Sequence, residues 1–279
     1  MMIDSAPQSE YVYQVPEELQ LLKDQFTHIF RLIVDYQYSP EARYEKKGEL
    51  ERFFSGLPTV NFNAIMGWLK ESQEYEARIE EELKFFGNTP FFWFVEEDAA
   101  TEFKKALKKR GFVDAGIFRG VMAPLEAPIA ASPIADDCVL ERVQDEKAMG
   151  EFTDLVSGVF GVENPTKEAF KEILWNLSQE KPCHWFHWIA RKEGKVVSAL
   201  STMIQDGVVS FSNQATAAEV RKQGLSTALC HFSLQHAMAN GARFGSSYLM
   251  SEGLAFGICT KLGLQTKWRF HAFISPKQD

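Results

Sequence analysis

The residues best placed to do chemistry lie in one polar turn, Arg-Lys-Gln-Gly-Leu-Ser, at positions 221–226. A strand-like run precedes this turn, and a helix with an apolar face follows it. The first N–H groups of a helix lack intrahelical partners, and the helix dipole adds partial positive charge around them. The turn therefore predicts a site for a phosphate group, although six residues alone fit a solvated connection equally well.

Other side chains that often do chemistry are less well placed. His184 and His187 lie three apart on a predicted strand and point to opposite faces, which suits a metal poorly. His231 and His236 are five apart on a predicted helix and do not share a face. The four cysteines form no CxxC pair, so we expect reduced thiols and no metal site.

The composition is typical of a globular protein. The chain has 279 residues, of which 45% are hydrophobic and 24% charged, and its net charge is −8. It has no apolar run of membrane-spanning length, and residues 1–11 lack the features of a signal peptide. The acidic balance counts against a nucleic-acid partner. We therefore expect a cytoplasmic protein that has no membrane partner.

The chain divides into two halves with related patterns. Residues 123–137 hold three prolines and no sustained amphipathic period, which predicts a linker over 124–136 between domains at 1–123 and 137–279. The predicted helices cover residues 16–36, 42–54, 71–86, 101–110, 148–160, 167–176, 227–240 and 254–262. The predicted strands cover residues 60–68, 91–95, 117–122, 185–191, 196–204, 208–213, 246–250 and 268–274. Both halves end in the order strand, helix, glycine, strand, which indicates a duplicated domain.

The second half resembles the GNAT superfamily of acyl-CoA-dependent N-acetyltransferases. Its Arg221-x-x-Gly224-x-Ser226 is similar to the family's pyrophosphate loop, Gln/Arg-x-x-Gly-x-Gly/Ala, and Cys-Thr-Lys-Leu-Gly-Leu at 259–264 fits the family's last helix. The resemblance covers about residues 137–275. The first half looks similar to the degenerate repeat of tandem members, without a pyrophosphate loop. The implied fold is α/β (α+β), with two domains that each have a mixed, mostly antiparallel sheet flanked by helices.

The resemblance also implies where the co-substrate acetyl-CoA would bind. In the family, the strand before the loop splays from its neighbour, and the pantetheine arm lies in the gap. The backbone of the strand end, residues 213–216, would bond this arm and orient the thioester carbonyl. The implied binding residues are Gln214, Ala215, Thr216, Arg221, Lys222, Gln223, Gly224, Leu225, Ser226 and Thr227. The N–H groups of 223–227 would hold the pyrophosphate, and Gly224 would let it approach without a Cβ.

Two residues are candidates for proton transfer. The acceptor amine must lose a proton, and Glu252 could take it, or could instead cap the helix that begins near residue 254. Cys259 stands where the family often has a tyrosine that protonates the leaving thiolate. A thiol could donate that proton, but Cys259 also fits the buried face of its helix. Without a tyrosine, catalysis could rest mainly on proximity.

Three functions remain open from the sequence. The first is transfer of an acetyl group from acetyl-CoA to a primary amine of a small molecule or peptide. The second is a non-catalytic acyl-CoA-binding or regulatory module, which the missing tyrosine favours. The third is aminoacyl transfer from charged tRNA, which some tandem relatives perform, and the acidic balance counts against it. The acceptor is not identified, and a homodimer is left open.

Overall fold

The computed structural model of the protein describes residues 16–67, 75–99, 101–126, 132–250 and 254–277. The helices in these ranges are α1 (Pro16–Asp35), α2 (Tyr75–Phe86), α3 (Thr101–Lys109), α4 (Glu146–Phe160), α5 (Thr166–Gln179), α6 (Leu225–Ala239) and α7 (Leu254–Lys261). The strands are β1 (Arg43–Lys47), β2 (Leu50–Phe54), β3 (Ala64–Met66), β4 (Phe92–Glu96), β5 (Val113–Pro124), β6 (Cys138–Arg142), β7 (Trp185–Lys192), β8 (Lys195–Gln205), β9 (Val208–Thr216), β10 (Phe244–Met250) and β11 (Gln265–Ile274). None of the helices in the described ranges combines the length and hydrophobicity needed to cross a membrane.

All eleven strands belong to one sheet, in the order β1-β2-β3-β4-β11-β5-β10-β9-β8-β7-β6. The pairs are antiparallel except for β3 with β4 and β9 with β10, which are parallel. The strand order shows that the two halves exchange their last strands. The final strand, β11, lies between β4 and β5 of the first half, and β5 lies between β11 and β10 of the second.

The exchange has an approximate two-fold symmetry centred on two phenylalanines. Phe118 of β5 pairs directly with Phe270 of β11, and their rings stack with centroids 5.7 Å apart. On the outer sides of this pair, Phe118 pairs with Met250 of β10, and Phe270 pairs with Glu96 of β4. Each half therefore meets the other in the same way, as expected for a duplicated domain. The division into 1–123, 124–136 and 137–279 stays a prediction.

Helices cover both faces of the sheet. On one face, the buried clusters contain residues of α1, α4 and α5, and on the other face they contain residues of α2, α3, α6 and α7. Because strand side chains alternate, neighbouring residues mark the two faces. On β8, Ala199 packs in the cluster below α4, and Leu200 packs in the cluster below α6.

The predicted helix over residues 42–54 is wrong, because this segment is the hairpin β1–β2. Gly48 has φ of +63°, a conformation that suits the tight turn joining Lys47 to Leu50. Tyr44 and Phe53 pair across the hairpin, and their rings contact each other. The predicted strand over 60–68 is shorter than expected, since a 3-10 turn precedes β3.

The other predicted helices and strands are confirmed in type within the described ranges, with ends that shift by a few residues. The turns at Glu193-Gly194 and Asp206-Gly207 have positive φ at both residues, as their hairpins require. Strand β6 at the edge of the sheet was not predicted.

Candidate functional site

The site predicted from the sequence lies where β9 and β10 part. The two strands pair from Val208 and Phe244 as far as Phe211 and Ser247. Beyond this point β9 continues on β8 and β10 continues on β5, so a gap opens between them. A strand pair that ends early leaves backbone N–H and C=O groups available to an extended ligand in the gap.

The edge of β9 faces this gap. Ala217 donates its N–H to the carbonyl of Val197 on β8, at 2.9 Å. Because backbone groups alternate along a strand, Thr216 turns its own N–H and C=O toward the gap. The carbonyl of Thr216 accepts a hydrogen bond from Nε of Arg221 at 3.1 Å, which folds this arginine back onto the strand end.

A β-bulge interrupts β9 inside the site. Ala199 pairs with Ala215 and Ser201 pairs with Ser212, so residues 213 and 214 both lie opposite a single residue of β8. Asn213 has φ of +51°, in the left-handed region that asparagine tolerates better than most residues. A bulge reverses which side chains face each side of the sheet.

The packing on either side of the bulge shows this reversal. Before it, Val209 and Phe211 pack in the cluster below α6. After it, Ala215 packs in the cluster on the opposite face, below α4. Gln214 remains on the α6 side, where its Nε2 donates to the Sγ of Cys230 at 3.2 Å. Asn213 and Gln214 thus point to opposite faces at the level where the gap begins.

The loop after β9 leads directly into the N-terminus of α6. Gly224 is the N-cap residue, with φ of +85° and no capping side chain, and Lys222 also has positive φ. Ala228 donates to the carbonyl of Gly224 at 2.9 Å, and within the described ranges no acceptor contacts the N–H groups of residues 225–227. Apart from Gly224 itself and its chain neighbours, no described atom lies within 4 Å of the position that a Cβ on Gly224 would occupy. The N-terminus of α6 is therefore open and lined with N–H donors.

The structure describes only one of the two candidates for proton transfer. Glu252 lies outside the described residues, so its role stays a prediction. Cys259 is only 4% exposed and belongs to the core cluster below α6 and α7. Burial raises the pKa of its thiol to about 11, although a hydrogen bond with Ser247 acts in the opposite direction. This burial among apolar side chains favours packing over acid catalysis.

Two buried polar residues near the bulge were not predicted as functional. The sequence pattern pointed to His187 only as a poor metal ligand, and nothing in it singled out Ser201. His187 is 1% exposed, and its Nδ1 lies 2.8 Å from Oγ of Ser201, which in turn accepts from Nδ2 of Asn213 at 3.1 Å. In the part of the chain that the structure describes, no group of three or more His, Cys, Asp or Glu side chains could hold a metal ion.

As far as the structure describes them, the parallel strands of the first half stay paired. Strands β3 and β4 stay paired to Met66 and Phe94, and Gly67 continues the pairing by donating to the carbonyl of Phe94 at 3.3 Å. Nε1 of Trp93 then donates to the carbonyl of Gly67 at 3.0 Å. The connection that follows, residues 68–74, lies outside the described residues. The prediction that this half lacks a pyrophosphate loop is therefore not tested there.

Comparison with solved structures identifies the fold. A GCN5-related N-acetyltransferase from Kribbella flavida matches with a TM-score of 0.67 and 13% identity, over 93% of this chain and 96% of that chain. One from Sphaerobacter thermophilus matches with a TM-score of 0.64 and 12% identity, over 83% and 78%. The chain therefore has the fold of the GCN5-related N-acetyltransferases, as the resemblance implied.

The match extends to the tandem form of that fold. A tandem GNAT protein from the clavulanic acid biosynthesis pathway matches with a TM-score of 0.59 and 11% identity, over 95% of this chain and 96% of that chain. No protein-family model and no curated protein matches the sequence. At these identities the comparisons establish the architecture, and the chemistry has to be argued from the site.

Proposed function

We propose that the chain is an acyltransferase that moves the acetyl group of acetyl-CoA to a primary amine. The observation that carries this proposal is the gap between β9 and β10, which opens directly beside the uncapped N-terminus of α6. An extended arm in the gap and a diphosphate at the helix would be two parts of one ligand. Acetyl-CoA has both parts, joined in that order.

The binding residues follow from this placement. The backbone of 214–216 would bond the pantetheine arm as an added strand does. The N–H groups of 223–227 would bind the pyrophosphate, with the helix dipole contributing positive charge. Arg221 and Lys222 are exposed beside them and would screen the phosphate charges.

In the proposed reaction, the neutral amine attacks the carbonyl carbon of the thioester. The new C–N bond forms, the C–S bond breaks, and the sulfur leaves as the CoA thiolate. The nitrogen then gives up one proton, and the thiolate gains one from an acid or from water, so that an amide and CoA result. A fixed N–H of β9 near the carbonyl oxygen would stabilise the charge that develops there. Glu252 remains the candidate base.

A second function is favoured by one specific observation. The usual tyrosine is replaced by Cys259, whose thiol is buried among apolar side chains. A chain that binds acetyl-CoA without transferring the acetyl group would have no need of that acid. Such a chain would serve as an acyl-CoA-binding or regulatory module.

Thermal or chemical unfolding with and without acetyl-CoA tests the binding site. A ligand at a hundredfold its Kd stabilises a protein by about 2.7 kcal/mol. We expect Gly224→Glu to abolish most of this gain, because a side chain and a negative charge would then face the pyrophosphate. Gly241→Glu is the matched control, since Gly241 has nearly the same φ, +86°, and equally open surroundings beyond the other end of α6. Retention of the full gain in Gly224→Glu would refute the site.

Release of free CoA thiol across a panel of amines separates the two functions. Turnover with a small-molecule or peptide amine would support the transferase. Binding of acetyl-CoA without thiol release on a broad panel would favour the regulatory module.

A further inference from the structure

A chain of hydrogen bonds, buried at its α5 end, runs from α5 to the partly buried bulge of β9. Its members are His187 on β7, Ser201 on β8 and Asn213 on β9, three strands that lie side by side. Nε2 of His187 contacts the carbonyl oxygen of Leu174 at 3.2 Å, and the distances from Nδ1 to Ser201 and from Ser201 to Asn213 are 2.8 and 3.1 Å. The ring of Phe152 on α4 packs beside the imidazole, with centroids 5.1 Å apart.

The donors and acceptors in this chain are fixed by the groups at its two ends. The carbonyl of Leu174 can only accept, so Nε2 of His187 carries a proton, and in the neutral ring Nδ1 is then an acceptor. Ser201 therefore donates its O–H to Nδ1. Its oxygen then accepts from the amide of Asn213, which can only donate through Nδ2. His187 and Ser201 are both buried, so a reversed contact between them would leave a buried polar group without a suitable partner.

This arrangement requires a neutral imidazole. A protonated ring would carry hydrogens on both nitrogens, and Ser201 could no longer donate to it. Burial and the nearby charge of Arg142 lower the pKa of His187 to about 4, so the ring is neutral at physiological pH.

The last member of the chain stands at the bulge. Strand alternation alone would put Asn213 on the same face as Phe211, below α6. The hydrogen bond to Ser201 holds it on the opposite face. The left-handed backbone of Asn213 is unfavourable for most residues, and the hydrogen bond to Ser201 is the side-chain interaction that stabilises Asn213 in this conformation.

The position of the bulge matters for a ligand in the gap. An arm that enters from the loop before α6 passes Thr216 first and reaches Asn213 and Gln214 last. At about 3.3 Å per residue, the bulge lies about 10 Å deeper than Thr216, near the point where β9 and β10 meet. The end of the arm, which carries the acetyl group, would therefore lie at the bulge.

We infer that Ser201 and His187 are positioning residues for acyl transfer, because they hold the Asn213 bulge against which the thioester would be placed. This inference rests on the proposed function. It assigns these residues no contact with the acetyl group. They act through Asn213 and through the backbone that its side chain anchors.

The test compares the affinities for acetyl-CoA and for CoA, which differ only in the acetyl group. Ser201→Ala removes the acceptor for Asn213 and the donor to His187. We expect it to weaken acetyl-CoA binding about tenfold relative to CoA, as loss of one well-placed hydrogen bond does. Binding is measured by calorimetry on the full chain for both probes.

Thr202→Val is the matched control. Thr202 is the next residue on β8, points to the other face, and accepts a buried hydrogen bond from Trp188 Nε1 at 2.8 Å. Its replacement also removes a buried hydrogen bond from β8, but it leaves the bulge untouched. We expect the ratio of the two affinities to stay at the wild-type value in this variant.

A second variant tests the same inference if Ser201→Ala fails to fold. Asn213→Gly keeps the left-handed backbone accessible but removes the side chain that reaches Ser201. It should also lose the preference for acetyl-CoA, and Ser201→Thr, which keeps the hydroxyl, should retain it.

The possible outcomes distinguish failure of the positioning role from failure of the proposed function. If the wild type binds both probes equally, or if it prefers acetyl-CoA and both Ser201→Ala and Asn213→Gly keep that preference, the positioning role is wrong and the proposed function stands. The same conclusion follows if Thr202→Val loses the preference as strongly as Ser201→Ala does. If the wild type binds neither probe, the proposed function fails, and this inference fails with it.

Discussion

The protonation state of His187 gives a prediction that does not depend on any ligand. This ring is buried between β7, α4 and α5, and its pKa falls from the ordinary 6.5 to about 4 on folding. Between these two pH values the unfolded chain binds a proton that the folded chain does not. The free energy of unfolding therefore rises with pH across this window, and stability is lost as the pH falls from about 6.5 toward 4.

The size of the effect follows from the two pKa values. Between pH 7 and pH 5, His187 alone should lower the free energy of unfolding by about 2 kcal/mol. Urea unfolding of the wild type and of His187→Gln at both pH values measures it. The carboxylates and the other histidines titrate in both proteins, so the difference between the two pH dependences isolates His187.

We expect His187→Gln to be less stable at pH 7 and to depend less on pH than the wild type. Thr202→Val is a suitable control, because it loses a buried hydrogen bond next to Ser201 without losing a titrating group. Its pH dependence should match that of the wild type. Equal pH dependences in the wild type and His187→Gln would show that His187 is not held neutral by burial, and the fixed directions of the hydrogen-bond chain would lose their basis.

Two further predictions concern the strand exchange and the thiol. Phe270→Ala should lower the free energy of unfolding by about 3–5 kcal/mol, since Phe270 is fully buried at the centre of the exchange. Phe160 is 57% exposed, so Phe160→Ala should change the free energy of unfolding by no more than about 0.5 kcal/mol. Equal effects of the two substitutions in urea unfolding would contradict the importance of the contact made by Phe270. If turnover is found, Cys259→Ala should retain it within about threefold, because the thiol packs. A loss of about 100-fold or more in thiol release would instead identify it as the general acid.

Much of the architecture could be predicted because its signals are local. The apolar face of α1 and the glycine-containing turns at 193–194 and 206–207 depend on neighbouring residues, and the structure confirms them. The hairpin β1–β2 was mistaken for a helix because its stability comes from partners that the local pattern does not specify. The rings of Tyr44 and Phe53 come into contact only because β1 and β2 pair with each other on either side of the turn at Gly48.

The strand exchange could not be predicted from the sequence. The spacing of β4, β5, β10 and β11 along the chain is the same whether each half keeps its last strand or gives it to the other. Only contacts between residues far apart, such as Phe118 with Phe270, distinguish the two arrangements.

The candidate site shows the same division between local and distant signals. The turn before α6 was visible in the sequence because its residues are consecutive. The chain from His187 to Asn213 joins three strands, so its members gave no common pattern. An asparagine near the end of a buried strand was the only available signal, since asparagine tolerates the left-handed conformation of a bulge.

The exchange of strands also affects how the chain folds during its synthesis. Roughly 150 residues separate the end of β5 at Pro124 from the end of β11 at Ile274. At a synthesis rate of about 5–20 residues per second, synthesis of β5 ends about 8–30 s before synthesis of β11, the strand that lies between β4 and β5. Unpaired strand edges readily join other chains, and four of the five residues of β4, at 92–95, are apolar. The last strand to be made thus completes the first half of the sheet, and slower synthesis of the second half would lengthen the time in which nascent chains can pair with each other.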